Sequence, residues 1–202
     1  MMRPHPLNQR LRIHLIQLGA LVVAAALLLA EPVWGGRPHE LIEMAGFAFV
    51  LVCVAGRMWS ILYIGARKNR DLTTLGPYSM TRNPLYLFST IGAVGVGLMY
   101  GSLLVAVLLG LLSYGAFLVT ASKEADHLST LFGERYDSYA ARTPMFWPKL
   151  SLYRDSAEMS FSPEALKRTF LDGLLFLAIF PVMELLEYLQ VNHYLPVLFR
   201  VF

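Results

Sequence analysis

Forty consecutive positions, 83–122, carry no charged side chain, and the run is bounded by Arg82 and Lys123. A helix needs about 20 apolar residues to cross the ~30 Å hydrocarbon core of a bilayer. The run therefore predicts two membrane spans, and Tyr100-Gly101-Ser102 near its centre supplies the tight turn of an antiparallel hairpin. Gly92, Ala93 and Gly97 are spaced to let helices approach closely. The rest of the 202-residue chain agrees, with 56% hydrophobic residues, only 15% charged and a mean hydropathy of +0.52. Soluble domains hold about 25% charged residues, so a disordered chain, a coiled coil and an ordinary soluble domain are excluded. The net charge of +3 is too small and too scattered for a nucleic-acid partner. Cys53 is the one cysteine, which excludes an intramolecular disulfide and any multi-cysteine metal site.

Three further apolar stretches read as spans. Ile13–Ala30 follows a basic lead of Arg3, Arg10 and Arg12. Its apolar region exceeds the ~7–15 residues of a signal peptide, which favours a first membrane helix. Met44–Ala66 is the second span, closed by Arg67, Lys68 and Arg70. Phe170–Leu189 is the fifth, although Asp172, Glu184 and Glu187 interrupt it and Pro181 should kink it; an interfacial or re-entrant segment is the alternative. The expected fold is an all-α polytopic membrane protein with about five transmembrane helices. The basic N-terminal arm and second loop, against an acidic or neutral first loop, place the N-terminus and residues 123–168 in the cytoplasm. The membrane is the cytoplasmic one if the source is bacterial. The chain reads as a single membrane domain: 1–75 hold two spans and a loop, 76–149 the hairpin and a cytosolic segment, and 150–202 a linker and the last helix. The oligomeric state stays open.

Residues 123–168 form the sizeable polar region, with seven basic and seven acidic side chains. Lys123 to Phe132 is expected to continue the fourth helix out of the membrane until Gly133 stops it. A short helix through Tyr136 and Tyr139 should follow, ended by Thr143-Pro144. Phe146-Trp147-Pro148 makes an aromatic segment for the interface. Ser162-Pro163-Glu164 has the cap, proline and acid of a helix start.

Few residues carry a chemical signal. The five histidines are dispersed, and Glu124 with His127 gives one Glu-x-x-His pair where a di-iron site needs two; no metal site is expected. Arg57 lies about 13 Å inside the inner end of its span at 1.5 Å per residue. An intramembrane arginine faces a partner or a cavity, so it either pairs with a carboxylate such as Asp172 or contacts a charged ligand. Asn83 is placed to cap the third span, with Pro84 at its first position. In a hairpin of equal spans, residues 82–86 and 122–126 reach the same membrane level. Arg82, Tyr86 and Glu124 then converge at the cytosolic lip of the bilayer.

The residues Gly76-Pro77-Tyr78, Arg82, Pro84 and Tyr86, then the charge-free hairpin, then Glu124, Leu128, Phe132-Gly133, Tyr136, Tyr139 and Pro144, occur in an order that resembles the isoprenylcysteine carboxyl methyltransferase and phospholipid methyltransferase superfamily. The likeness runs from Gly76 to about Pro148, and it departs from the family at two positions. Asn83 stands where the family usually has histidine, and Ala125 where it usually has a second glutamate. The resemblance implies an integral-membrane enzyme that uses S-adenosylmethionine (SAM), with a cofactor pocket facing the cytosol. It implies cofactor contacts for Tyr78, Arg82, Asn83, Pro84, Tyr86, Glu124, His127 and Tyr136, with Arg82 and Glu124 as the catalytic pair. Arg57 and Trp147 are candidates for binding the acceptor. That acceptor is expected to be a lipophilic or amphiphilic small molecule or membrane lipid, a carboxylate being favoured by the resemblance. Two rivals remain: an NADPH-dependent membrane reductase of the sterol reductase type, and a catalytically altered or non-catalytic member. The reductase should carry extra basic residues for a 2′-phosphate, but 123–148 holds only Lys123, Arg135 and Arg142.

Overall fold

The computed structural model describes residues 29–65, 71–155 and 161–201. It consists of helices α1 (Arg37–Ile64), α2 (Pro77–Met80), α3 (Pro84–Met99), α4 (Leu103–Phe132), α5 (Glu134–Arg142) and α6 (Pro163–Val191), with a 3-10 turn at Leu150–Leu152. Three-residue strands β1 (Ala30–Pro32) and β2 (Phe199–Val201) pair in parallel. The all-α expectation therefore holds apart from this short clasp, which Arg200 reinforces by donating to Glu31 at 3.1 Å. The expected span Ile13–Ala30 lies outside the described residues except for its last two, and Ala30 is in β1 rather than a helix.

Among the described residues, three helices are long and apolar enough to cross a membrane: α1, α4 and α6. Helix α3 is apolar but only 16 residues long. The hairpin forms as the charge-free run requires. Gly101 takes φ +77° between α3 and α4, and the Ser102 hydroxyl caps α4 by accepting from the Val105 N–H at 3.1 Å. Helix α4 runs unbroken through Lys123 to Phe132 and stops at Gly133, where α5 begins. Ser162 caps α6 by accepting from the Ala165 N–H at 3.2 Å, and that helix continues through Pro181 to Val191.

Helix α1 is the hub, antiparallel to α3 on one side and to α6 on the other. Its backbone meets that of α3 at Gly46 and Gly95. A Cβ on Gly95 would sit 2.9 Å from the Gly46 carbonyl oxygen, so the close approach requires a residue without a side chain. Gly97 likewise lies against the backbone of Ala106 on α4. Arg57 ties all three elements: its Nη1 donates to Ser89 Oγ on α3 at 2.6 Å, and its Nη2 lies 3.8 Å from Asp172 on α6. Of the two readings of Arg57, the carboxylate pairing is the one formed. The outer face of α4, including Val107, Leu111, Leu112 and Val119, is left exposed, as a lipid-facing surface should be.

Candidate active site

Gly76 sets the approach to the site. Its φ is +59°, and a Cβ there would collide with the Tyr63 ring, so only glycine makes this turn. The four residues of α2 that follow are all buried. Thr81 returns to extended backbone and delivers Arg82 and Asn83 to the foot of α3, where Pro84 takes the first helical position.

A strap formed by residues 144–154 holds this corner. The Arg82 N–H donates to the Pro144 carbonyl at 2.9 Å and the Lys149 N–H to that of Met80 at 3.0 Å. The Thr81 hydroxyl donates to the Phe146 carbonyl at 2.8 Å, and the Arg154 N–H donates to Ser79 Oγ at 3.0 Å. Asn83 occupies the cap position of α3 without capping it. Its Nδ2 donates to the Met145 carbonyl at 2.9 Å instead. An amide with strap carbonyls within reach bonds to them rather than to its own helix.

Between this corner, the α1 end and α4 lies a cavity of about 190 Å³. One water needs ~10–15 Å³ on the same measure, so the space suits a ligand of many atoms. Arg82, Tyr86 and Glu124 all line it, as the hairpin geometry requires. The Tyr86 hydroxyl donates to Glu124 Oε2 at 3.0 Å, and the Tyr86 ring stacks on Phe117 at 4.9 Å. Arg82 Nη1 donates to the Tyr136 hydroxyl at 3.2 Å, and the Tyr139 hydroxyl donates to the Tyr78 carbonyl at 2.6 Å. Tyr78, Asn83, Pro84 and Tyr136 of the expected set also stand in the wall.

Three buried polar atoms in that wall have no partner among the described residues: Arg82 Nε, the Tyr78 hydroxyl and Thr73 Oγ1. An unmade bond at a buried polar atom costs about 1–3 kcal/mol, and all three residues line this one cavity. Burial, helped by the neighbouring Tyr139, Glu124 and Tyr86, holds the Tyr78 phenol far above its ordinary range. It therefore keeps its proton and remains a donor. Burial also holds Tyr139 well above that range, with Arg82 pulling the other way.

Three expected residues lie elsewhere. His127 is exposed and outside the cavity lining. Trp147 is 66% exposed and lines a separate surface hollow beside Arg82. Arg57 is held within the bundle as described. The cavity also gains two polar residues that the motif does not include, Asp71 and Thr73. Asp71 was visible only as the one acid in a basic loop. Because Ala125 lines the cavity where the resemblance anticipates a second glutamate, Asp71 is the further carboxylate that the fold supplies there. The cavity thus offers donors for an anion, two carboxylates for a cation or hydroxyl groups, and tyrosine faces for a cation or a planar ring.

Residues 43–135 match the family described as phospholipid methyltransferase. A nickel-cobalt-cadmium resistance protein of Alcaligenes xylosoxydans is 32% identical over 200 residues, covering 96% of this chain and 92% of that protein. A cobalt-zinc-cadmium resistance protein of Cupriavidus metallidurans is 37% identical over 166 residues, covering 80% and 75% respectively. No solved structure matches the chain.

Proposed function

We propose, from the premise that this chain belongs to the phospholipid methyltransferase family, that it is an integral-membrane methyltransferase using S-adenosylmethionine. The acceptor is a lipophilic or amphiphilic small molecule, and the cavity faces the cytosol. The observation that carries this reading is the pair of unpartnered buried donors, Arg82 Nε and the Tyr78 hydroxyl, in one cavity with Glu124. The cofactor bears a carboxylate, an ammonium and a sulfonium, and the donor set suits each.

When bound, SAM supplies a methyl group already activated by the sulfonium charge. Arg82 and Tyr78 would hold the carboxylate by hydrogen bonds strengthened by its charge. Glu124 and Asp71 receive the ammonium or ribose hydroxyls. The bond from Tyr86 fixes the direction of Glu124. Ile61, Ile64, Leu85 and Leu128 give the cavity an apolar side, against which a hydrocarbon acceptor packs and from which water is excluded. A carboxylate acceptor is already ionised and needs no base, so alignment supplies most of the rate. An amine or thiol acceptor must lose a proton, and Glu124 is the group placed to take it. The relatives' names place those proteins in resistance to divalent metals, and we read this chain's methyl transfer as serving a similar response.

The test is binding of radiolabelled SAM to the detergent-solubilised protein. Arg82→Ala and Glu124→Gln should each weaken it at least about tenfold, or ~1.4 kcal/mol. Unchanged binding in both variants rejects the site. Methyl transfer to a prenylcysteine analogue, compared with phosphatidylethanolamine vesicles, then identifies the acceptor class.

A further inference from the structure

The opposite end of the bundle holds a second cluster, about 30 Å from the cavity along α1 at 1.5 Å per residue. His39 and Glu43 stand one helical turn apart on α1, and Glu187 reaches them from α6. His39 Nε2 lies 3.3 Å from Glu43 Oε1 and 3.5 Å from Glu187 Oε1. The three ligand atoms all lie within 4.8 Å of one another. The geometry points to a binding site for a divalent transition-metal ion of the zinc class, ligated by His39, Glu43 and Glu187.

Three observations carry this. First, tetrahedral zinc with bonds of ~2.0–2.1 Å separates its ligand atoms by about 3.3–3.4 Å. The two nitrogen–oxygen separations, 3.3 and 3.5 Å, are close to that value, so an ion requires little rearrangement on those edges. Second, two carboxylates converge on a single imidazole. His39 is 8% exposed, and its Nδ1 is buried with no partner among the described residues. One Nε2 proton can serve only one of the two carboxylates. No lysine or arginine among the described residues pairs with Glu43 or Glu187, and Glu40 and Glu184 add negative charge nearby. A dication bound between the three atoms removes the excess. Third, the cluster lines a cavity of about 210 Å³ that also includes Glu31, Tyr100 and Gln190. There is room for water at the remaining coordination position. Imidazole with carboxylates suits zinc, cobalt, nickel or cadmium better than calcium, which takes oxygen ligands alone.

The experiment uses the full chain, free of any histidine tag, in detergent and stripped of metal. Cobalt(II) serves as the probe because a four-coordinate ion absorbs strongly in the visible. We expect one cobalt per chain, displaced by one equivalent of zinc. Glu187→Gln and His39→Gln should each weaken uptake at least tenfold, whereas Glu40→Gln, on an exposed position of the same helix, should not. Glu187 is surface-accessible, with its side chain 45% exposed, so its variant keeps the test valid if the buried His39→Gln fails to fold. No cobalt uptake by the wild type, or equal uptake by Glu187→Gln, overturns the site. The readout does not involve SAM, so it stands or falls apart from the methyltransferase reading.

Discussion

Tyr78 distinguishes a group kept for binding from one kept for folding. Its hydroxyl is buried and has no partner among the described residues, so the phenol is expected to cost the ligand-free protein stability. Tyr78→Phe should leave the melting temperature unchanged or raise it, by up to about 1 kcal/mol of stability. The same change should weaken SAM binding by about tenfold. Thermal unfolding and ligand titration on one sample check both signs, and a lower melting temperature with unaltered binding contradicts the assignment. At this scale the sequence was readable where two rigid helices meet. Tyr86 and Glu124 are 38 residues apart and bonded at 3.0 Å, because the hairpin length alone sets their level. Asn83 was not readable, since its choice between its own helix and the Met145 carbonyl depends on a strap with no periodic pattern. The approach of His39 and Glu43 to Glu187 was half readable. The spacing of four shows the first pair, but the third member comes from a helix more than a hundred residues away.

Among the elements, α1 and α3 depend on missing side chains. Gly95→Val should disrupt their packing, since its Cβ would meet the Gly46 carbonyl and Phe49 Cβ at 2.9 Å. Overpacking of this kind costs about 1–3 kcal/mol or more, and the expected result is loss of a monodisperse peak on gel filtration. Gly115 on α4 provides the contrast, with nothing within 4 Å of an added Cβ. Gly115→Ala should stabilise the protein by roughly 0.5–1 kcal/mol through helix propensity alone, seen as a higher melting temperature. The boundaries of α4, α5 and α6 were legible because Gly133 and Ser162 are strong local signals. Helix α2 and the strap were not, because backbone bonds between two irregular segments leave no trace in residue order.

For the whole molecule, the proposed function predicts an orientation, with the cavity end of the bundle in the cytosol. Single cysteines introduced in a Cys53→Ser background report it through a membrane-impermeant thiol reagent applied to intact cells. Glu134→Cys, beside the cavity end, should be protected, and Glu31→Cys, at the clasp, should be labelled; the reverse pattern inverts the proposed topology. Helix α3 adds a feature that span counting does not reveal. Its 16 residues reach about 24 Å at 1.5 Å per residue, some 6 Å short of an average hydrocarbon core. A bilayer thins around a helix shorter than its core wherever the two meet. On the proposed function, such thinning would draw headgroups toward the level of Arg82 and Glu124, and an amphiphile gliding within its own leaflet would reach the cavity without being lifted out of the membrane.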